Sequence, residues 1–220
     1  MQIQPASSSP ASIGVLGLDT AYYKPLGHIK NPQGFSFPMR YANVPGASMA
    51  KMVHEPQALT QYFVEAAKAL ESQGVKAITG SCGLFALYQE TLAEAVSIPV
   101  FSSSLVQLPM VYTMMGRRGT VGVMTSNSGS ITDELLSKVG AEDLPLAIQG
   151  MEGFSEFRSV VLEGQRQEID FIQLETEIRM AARQLKFDTP DMKAVVVECT
   201  DMSPFVSAIE EETRLPVFDL

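Results

Sequence analysis

Tryptophan is absent from the 220 residues, histidine and cysteine occur only twice each, and basic side chains are outnumbered 16 to 25 by acidic ones. Each shortage excludes something. The net charge of −9 argues against nucleic-acid and anionic-membrane partners, both of which are held through Lys and Arg. Two cysteines do not make a disulfide scaffold. His28 and His54 stand alone, without C-x-x-C or H-x-x-x-H spacing, so no metal site is expected. A surface or core-edge place is expected for each. No apolar run approaches the roughly 20 residues of a membrane span. The opening "MQIQPASSSPAS" lacks the basic and apolar parts of a secretory signal. Residues 1–11 read as a flexible leader, and the expected compartment is the reducing cytosol.

Hydrophobic residues make up 45% of the chain, enough for a substantial core. Short apolar runs alternate with helical patterns: "IGVLGL", "VKAITG", "IPVFSS", "GTVGVMTS", "LPLAIQG", "MKAVVVE" and "LPVFDL" read as strands, with amphipathic helices between most of them. Continuous apolar strands interleaved with helices indicate an α/β fold with parallel sheets covered on both faces. The Pro- and Gly-rich segment 23–48 reads as a long irregular loop. Because it follows the first strand, it is expected to hang over a cleft as a lid or selectivity element.

The chain also repeats itself. A shift of 117, the separation of Cys82 from Cys199, aligns Lys76 with Lys193, Ala77 with Ala194 and Glu94 with Glu211 without a gap. The same shift places Pro99-Val100-Phe101 on Pro216-Val217-Phe218. Upstream, Gly14-Val15 matches Gly122-Val123 at a shift of 108. Any two strand–helix units share apolar pairs, but coincidence of both cysteines and both P-V-F triplets in one register points to duplication. Two pseudo-symmetric halves are expected: 12–103 plus 209–220, and 104–208.

In open parallel sheets ligands bind outside the carboxyl ends of the strands. Both cysteines fall there, each ahead of a helix. Free N–H groups at a helix start favour a thiolate and can hold a substrate carboxylate. "SCG", from Ser81, and "CTD", ending at Asp201, therefore each offer a thiol beside an anion-binding turn. Two facing thiols can exchange protons on opposite faces of one carbon, with no cofactor. "TSNSGS" offers further hydroxyls and amides on the same edge, and Asp19 occupies the matching loop of the first half, where helix capping is its simpler role. "GVLG" is no dinucleotide fingerprint and "GSITDE" no phosphate loop. The methionines, including those of "MVYTMM", read as core packing.

With these residues in view, the chain resembles the aspartate/glutamate racemase superfamily, which includes cofactor-independent aspartate, glutamate and hydantoin racemases, maleate isomerase and arylmalonate decarboxylase. "GSCG", "ECTD" and "GTVGVMTSNS" carry the resemblance, over about 13–220. It implies two flavodoxin-like halves with the site between them, Cys82 and Cys199 as the acid–base pair, and carboxylate binding by Gly83, Leu84, Thr200, Ser126 and Asn127. It also implies a homodimer or larger homo-oligomer. The chain departs from the family where racemases usually read C-N-T and G-C-T-H: here stand Cys82-Gly83-Leu84 and Glu198-Cys199-Thr200-Asp201. A charged Asp201 close to Cys199 would raise that thiol's pKa. The expected activity is an isomerase, a racemase or epimerase of an amino acid or related small carboxylate. The alternatives are a maleate-type cis–trans isomerase working through a covalent cysteine adduct and a non-catalytic metabolite-binding protein.

Overall fold

A computed structural model describes residues 2–3 and 12–220. The leader expected over 1–11 therefore lies outside the described residues, except that Gln2–Ile3 form a short strand, β1. The other strands are β2 (Ile13–Gly17), β3 (Met39–Asn43), β4 (Ala77–Gly80), β5 (Val100–Phe101), β6 (Thr120–Thr125), β7 (Leu146–Gly150), β8 (Met192–Val197) and β9 (Val217–Phe218). The helices are α1 (Met49–His54), α2 (Thr60–Ser72), α3 (Gln89–Ala95), α4 (Leu108–Met114), α5 (Asp133–Ser137), α6 (Ser155–Phe157), α7 (Phe171–Asp188) and α8 (Val206–Thr213). The strands form two sheets, ordered β1-β3-β2-β4-β5 and β7-β6-β8-β9. All neighbours run parallel except β1, which is antiparallel to β3. The α/β class and the two parallel-sheet halves expected from the sequence are what the chain adopts.

The repeat survives in the ladder. Ile78 pairs with Val100, and Val195 with Val217; Gly14 pairs with Ile78, and Gly122 with Val195. Both registers obey the shifts of 108 and 117 found in the sequence. The two repeated glycines share a physical reason. A Cβ at Gly14 would sit 3.0 Å from Leu70 Cδ1 of α2, and one at Gly122 would sit 3.0 Å from Leu185 Cδ2 of α7, although at Gly122 the Met192 sulfur is nearer still. Each lets a leucine of the covering helix settle onto its central strand.

Three expectations need correcting. Residues 209–220 do not all join the first half, because β9 pairs with β8 and closes the second sheet. The segment 23–48 is not irregular throughout: β3 lies inside it, parallel to β2. Arg40 and Asn43 break the apolar pattern of β3, and Pro38 and Pro45 flank it, so it reads as loop. It is nonetheless buried, with Tyr41 and Ala42 inside the protein. The methionines of α4 are a third departure, since Met110 and Met114 are more than half exposed.

One core runs between the halves. Phe63, Phe85 and Tyr88 of the first pack as an aromatic cluster, with the Phe63 and Phe85 centroids 4.6 Å apart. This core continues through Leu105 and Leu108 to Val121, Val123 and Ala194 of the second sheet. A second core lies between that sheet and α7. Polar bonds also cross the junction: Ser104 Oγ donates to Val197 O (2.7 Å), and Gln107 Nε2 donates to Asp219 O (2.8 Å).

Candidate active site

Apart from the antiparallel edge strand β1, both sheets have the strand order 2-1-3-4, in which the crevice opens where the direction of winding reverses, between the first and third parallel strands of each half. The cavity lies there in both halves at once. Leu18 and Thr20 follow β2, Ser81 and Cys82 follow β4, Ser126 follows β6, and Glu198, Cys199, Thr200 and Asp201 follow β8; all line one space. Tyr22, Lys24, Lys30, Met49 and Val161 complete the wall. The free room inside is little more than a water molecule needs. Thr20, Tyr22, Met49 and Val161 also line a larger neighbouring cavity, so these four side chains separate the inner space from an outer vestibule.

The two cysteine turns are tied to each other. Thr200 Oγ1 donates to Ser81 O (2.7 Å) across the junction of the halves, and Ser81 Oγ accepts from Leu18 N (3.3 Å). The hydroxyls expected to hold a substrate therefore hold the site together. Cys82 Sγ contacts Met49 Sδ at 3.7 Å, and Cys199 Sγ contacts Asp201 Oδ2 at 3.9 Å. Both thiols are free.

The expected drop in thiol pKa does not occur. Burial pushes both thiols well up, reinforced by Glu198 at Cys82 and by Asp201 at Cys199. The Leu84 N–H works the other way at Cys82 and is outweighed. Each turn opens as a narrow 3-10 segment, Gly83–Tyr88 and Thr200–Phe205, so no full α-helical terminus faces either sulfur.

Asp201 sits in a cluster. Lys24 Nζ is 2.6 Å from its Oδ1, His28 Nε2 is 3.3 Å from the same oxygen, and Tyr22 OH donates to Oδ2 at 2.8 Å. Burial alone would raise this carboxyl, but the Lys24 charge and the His28 contact hold it well below the usual carboxylate range. The Lys30 backbone N–H donates to His28 Nδ1 (2.9 Å), so the ring proton belongs on Nε2, facing Asp201. Burial lowers the His28 pKa, keeping the ring neutral. The expectation of a surface or core-edge histidine is thus corrected at His28, which is completely buried within hydrogen-bonding reach of the site.

Glu198 behaves differently. It is 1% exposed, Thr125 Oγ1 donates to its Oε2 (2.8 Å), and burial raises its pKa to about 7. Its other oxygen lies over Gly83, where a Cβ would fall inside the carboxyl group. The Glu198 carboxyl therefore reaches back from the second half to the residue after Cys82.

Lys30 Nζ donates to Leu18 O (2.7 Å) and Thr20 Oγ1 (3.1 Å). It forms no ion pair among the described residues. Burial, then the neighbouring Lys24 charge, lowers its pKa to about 8.

Of the residues expected at the site, Cys82, Cys199, Ser81, Ser126, Thr200 and Asp201 meet in the cavity. Three do not line it. Gly83 serves the approach of Glu198, Leu84 is buried at a separate pocket, and Asn127 Oδ1 accepts from Gly129 N (2.9 Å) as a turn cap. Asp19 accepts from Gly46 N (3.2 Å) and starts no helix. Tyr22, Lys24, His28, Lys30 and Glu198 were not anticipated. The first four come from an irregular stretch without periodicity, where the only signal was its position after the first strand.

No family model matches the chain. Among curated proteins it is 34% identical over 219 residues to dimethylsulfoniopropionate lyase 6 of Emiliania huxleyi, covering 94% of this chain and 56% of that one. It is 34% identical to lyase 7 of the same organism, covering 63% of that protein. It is 30% identical over 223 residues to a dimethylsulfoniopropionate lyase of Durusdinium, covering 95% of this chain and 71% of that one. The chain thus spans somewhat over half the length of the two Emiliania relatives. Among solved structures it resembles glutamate racemase of Francisella tularensis (TM-score 0.58, 18% identity, 96% of this chain and 76% of that one). It also resembles a mutant arylmalonate decarboxylase (TM-score 0.64, 15% identity, 94% and 86%). These likenesses establish the racemase-type fold. They do not carry the activity, and the expected racemase, epimerase or other isomerase is corrected by the relatives at 30–34% identity, all named as lyases.

Proposed function

This chain belongs to the dimethylsulfoniopropionate lyase family, and from that membership and the chemistry of the cavity we propose that it is a carbon–sulfur lyase acting on a small sulfonio carboxylate. Dimethylsulfoniopropionate is a zwitterion, with a carboxylate and a sulfonium two carbons apart. Removing a proton beside the carboxylate lets the C–H electron pair form a double bond while the C–S bond breaks. The products are a sulfide and an unsaturated acid.

The supporting observation is the pair of buried thiols in a cavity whose remaining charges suit a zwitterion. Lys24 and Asp201 neutralise one another. Lys30 and Glu198 are left, a cation and a carboxyl that both line the space. In this reading the Lys30 ammonium holds the substrate carboxylate, with one N–H still free after its two bonds. It also stabilises the charge that grows beside that carboxylate as the proton leaves. The sulfonium lies toward Glu198 and the thiols. A cation there favours a thiolate: at an effective dielectric constant near 20, a charge at ~4 Å is worth about 4 kcal/mol, roughly 3 pKa units. The resting thiols are protonated, and substrate is what makes deprotonation accessible. Elimination needs one base, whereas inversion needs one on each face. The two sides of this cavity differ accordingly, with Asp201 held charged beside Cys199 and Glu198 titrating near neutrality beside Cys82. Thiols that must remain reduced fit the cytosol.

The test is release of dimethyl sulfide and acrylate from dimethylsulfoniopropionate by the purified chain. Equal amounts of both products are expected, with at least ~100-fold slower turnover after Cys82→Ser. Absence of dimethyl sulfide from the unsubstituted chain, at substrate well above the millimolar range of ordinary KM values, would reject the reading.

A further inference from the structure

Neither thiol has a histidine positioned to take its proton. His28, the one buried imidazole near the site, spends Nδ1 on the Lys30 N–H and turns Nε2 to Asp201 and Thr200. Lys24, Tyr22 and Asp201 are committed to one another. Glu198 alone combines a place on the cavity wall, a fixed orientation and an approach to the Cys82 turn. Gly83 makes that approach, because any side chain there would occupy the space of the carboxyl group.

We propose that Glu198 is the proton acceptor for the Cys82 thiol, so that elimination runs on a thiol–carboxyl pair; this rests on the lyase reading above. The Glu198 carboxylate takes the Sγ proton and becomes a neutral acid. The Cys82 thiolate then takes the proton from the carbon beside the substrate carboxylate and is a thiol again. The C–H pair becomes the C=C bond, and sulfur leaves with the C–S pair as a neutral sulfide. Glu198 returns its proton to water, completing the release of one sulfide, one unsaturated carboxylate and one proton.

The groups facing Glu198 agree with this role. Thr125 and Ser126 of the β6 end favour its charged form by hydrogen bonding, and the Asp201 charge from its own turn opposes it. Cys82 faces it from the β4 turn and Cys199 from the next residue, both as neutral thiols. Lys24 is neutralised by Asp201, and Lys30 is the remaining cation on the wall. The result is a carboxyl with a pKa near 7, suited to accepting and releasing a proton in each turnover.

Two measurements test the pair separately from the substrate. In the first, dimethyl sulfide release is followed against pH for the unsubstituted chain, Glu198→Gln and Glu198→Asp. The unsubstituted kcat/KM, which reports the free enzyme, is expected to rise through pH about 7. Glu198→Gln is expected to lose that rise and ~100-fold or more in kcat, and Glu198→Asp to keep the rise at reduced rate. In the second, Cys82 is reacted with a small cationic methanethiosulfonate in a Cys199→Ser background. Glu198→Gln should slow this ~10-fold or more and remove its inflection near neutrality. A Glu198-dependent thiol in a chain that releases no dimethyl sulfide would sink the substrate and leave the pair standing. Dimethyl sulfide release and thiol reactivity that both keep their pH dependence in Glu198→Gln would overturn the pair.

Discussion

Each thiol of this site is set by its neighbour across or along the chain, and the settings differ. Asp201 keeps its charge well below the usual carboxylate range, whereas Glu198 changes charge near neutrality. The cysteines were legible because they recur at one offset, just beyond apolar strands. The groups that set them were not. Glu198 showed only as a departure from a motif, and its meaning depends on Gly83, which is distant in sequence. Likewise Lys24, His28 and Lys30 gain their roles from Asp201 and Leu18 O, contacts that no local pattern announces. The activity itself was misread because removal of a proton beside a carboxylate begins racemisation and elimination alike; the leaving group decides, and it belongs to the substrate. At this scale Gly83→Ala is a sharp probe. Its methyl group must displace the Glu198 carboxyl, and ~1–3 kcal/mol of stability should be lost, measurable as a lower midpoint in urea. A midpoint equal to that of the unsubstituted chain would contradict the close approach.

At the level of elements, buried strands were read from their apolar runs and most helices from their periodicity. Ends and short pieces were not. The stretch Ser130–Gly140 has a helical pattern, yet only Asp133–Ser137 forms a helix, α5, capped by Thr132 Oγ1 accepting from Leu135 N (3.2 Å). The stretch after Gly153 becomes α6 followed by a π-helical turn, Arg158–Leu162. Such turns are rare and gather at functional sites, and this one supplies Val161 to the cavity wall. Its supports are acidic and buried: Glu177 of α7 accepts from the N–H groups of Glu156 and Phe157 at 2.8 and 2.9 Å, satisfying donors that a three-residue helix cannot. The start of α7 is capped by Asp170, whose Oδ1 accepts from Ile172 N and Gln173 N, both at 3.0 Å. Asp170→Ala should cost ~1 kcal/mol without changing kcat, because the residue lies outside the cavity. A change in turnover with no change in stability would show that α7 is coupled to the chemistry in a way its contacts do not indicate.

For the whole molecule, the buried carboxyl ties stability to pH. The pKa of Glu198 is raised from 4.5 to about 7 on folding, so the folded state holds a proton that the unfolded chain has released between those values. Its contribution is fully present below the unfolded pKa and is lost as pH rises through about 7. The total is about 3 kcal/mol for a shift of this size. Glu198→Gln should flatten that slope in thermal unfolding curves measured from mildly acidic to mildly alkaline buffer. An equal slope in both chains would show that Glu198 does not carry the raised pKa. Asp201 works in the opposite sense, since its depressed pKa adds stability that is kept above the usual carboxylate range and lost as pH falls. Among the described residues no helix is long and apolar enough to cross a membrane. The Gly83–Glu198 contact couples two positions from opposite halves. They share one volume, so a side chain at 83 and a carboxyl at 198 exclude each other, and the two positions form one unit across the junction rather than two independent sites.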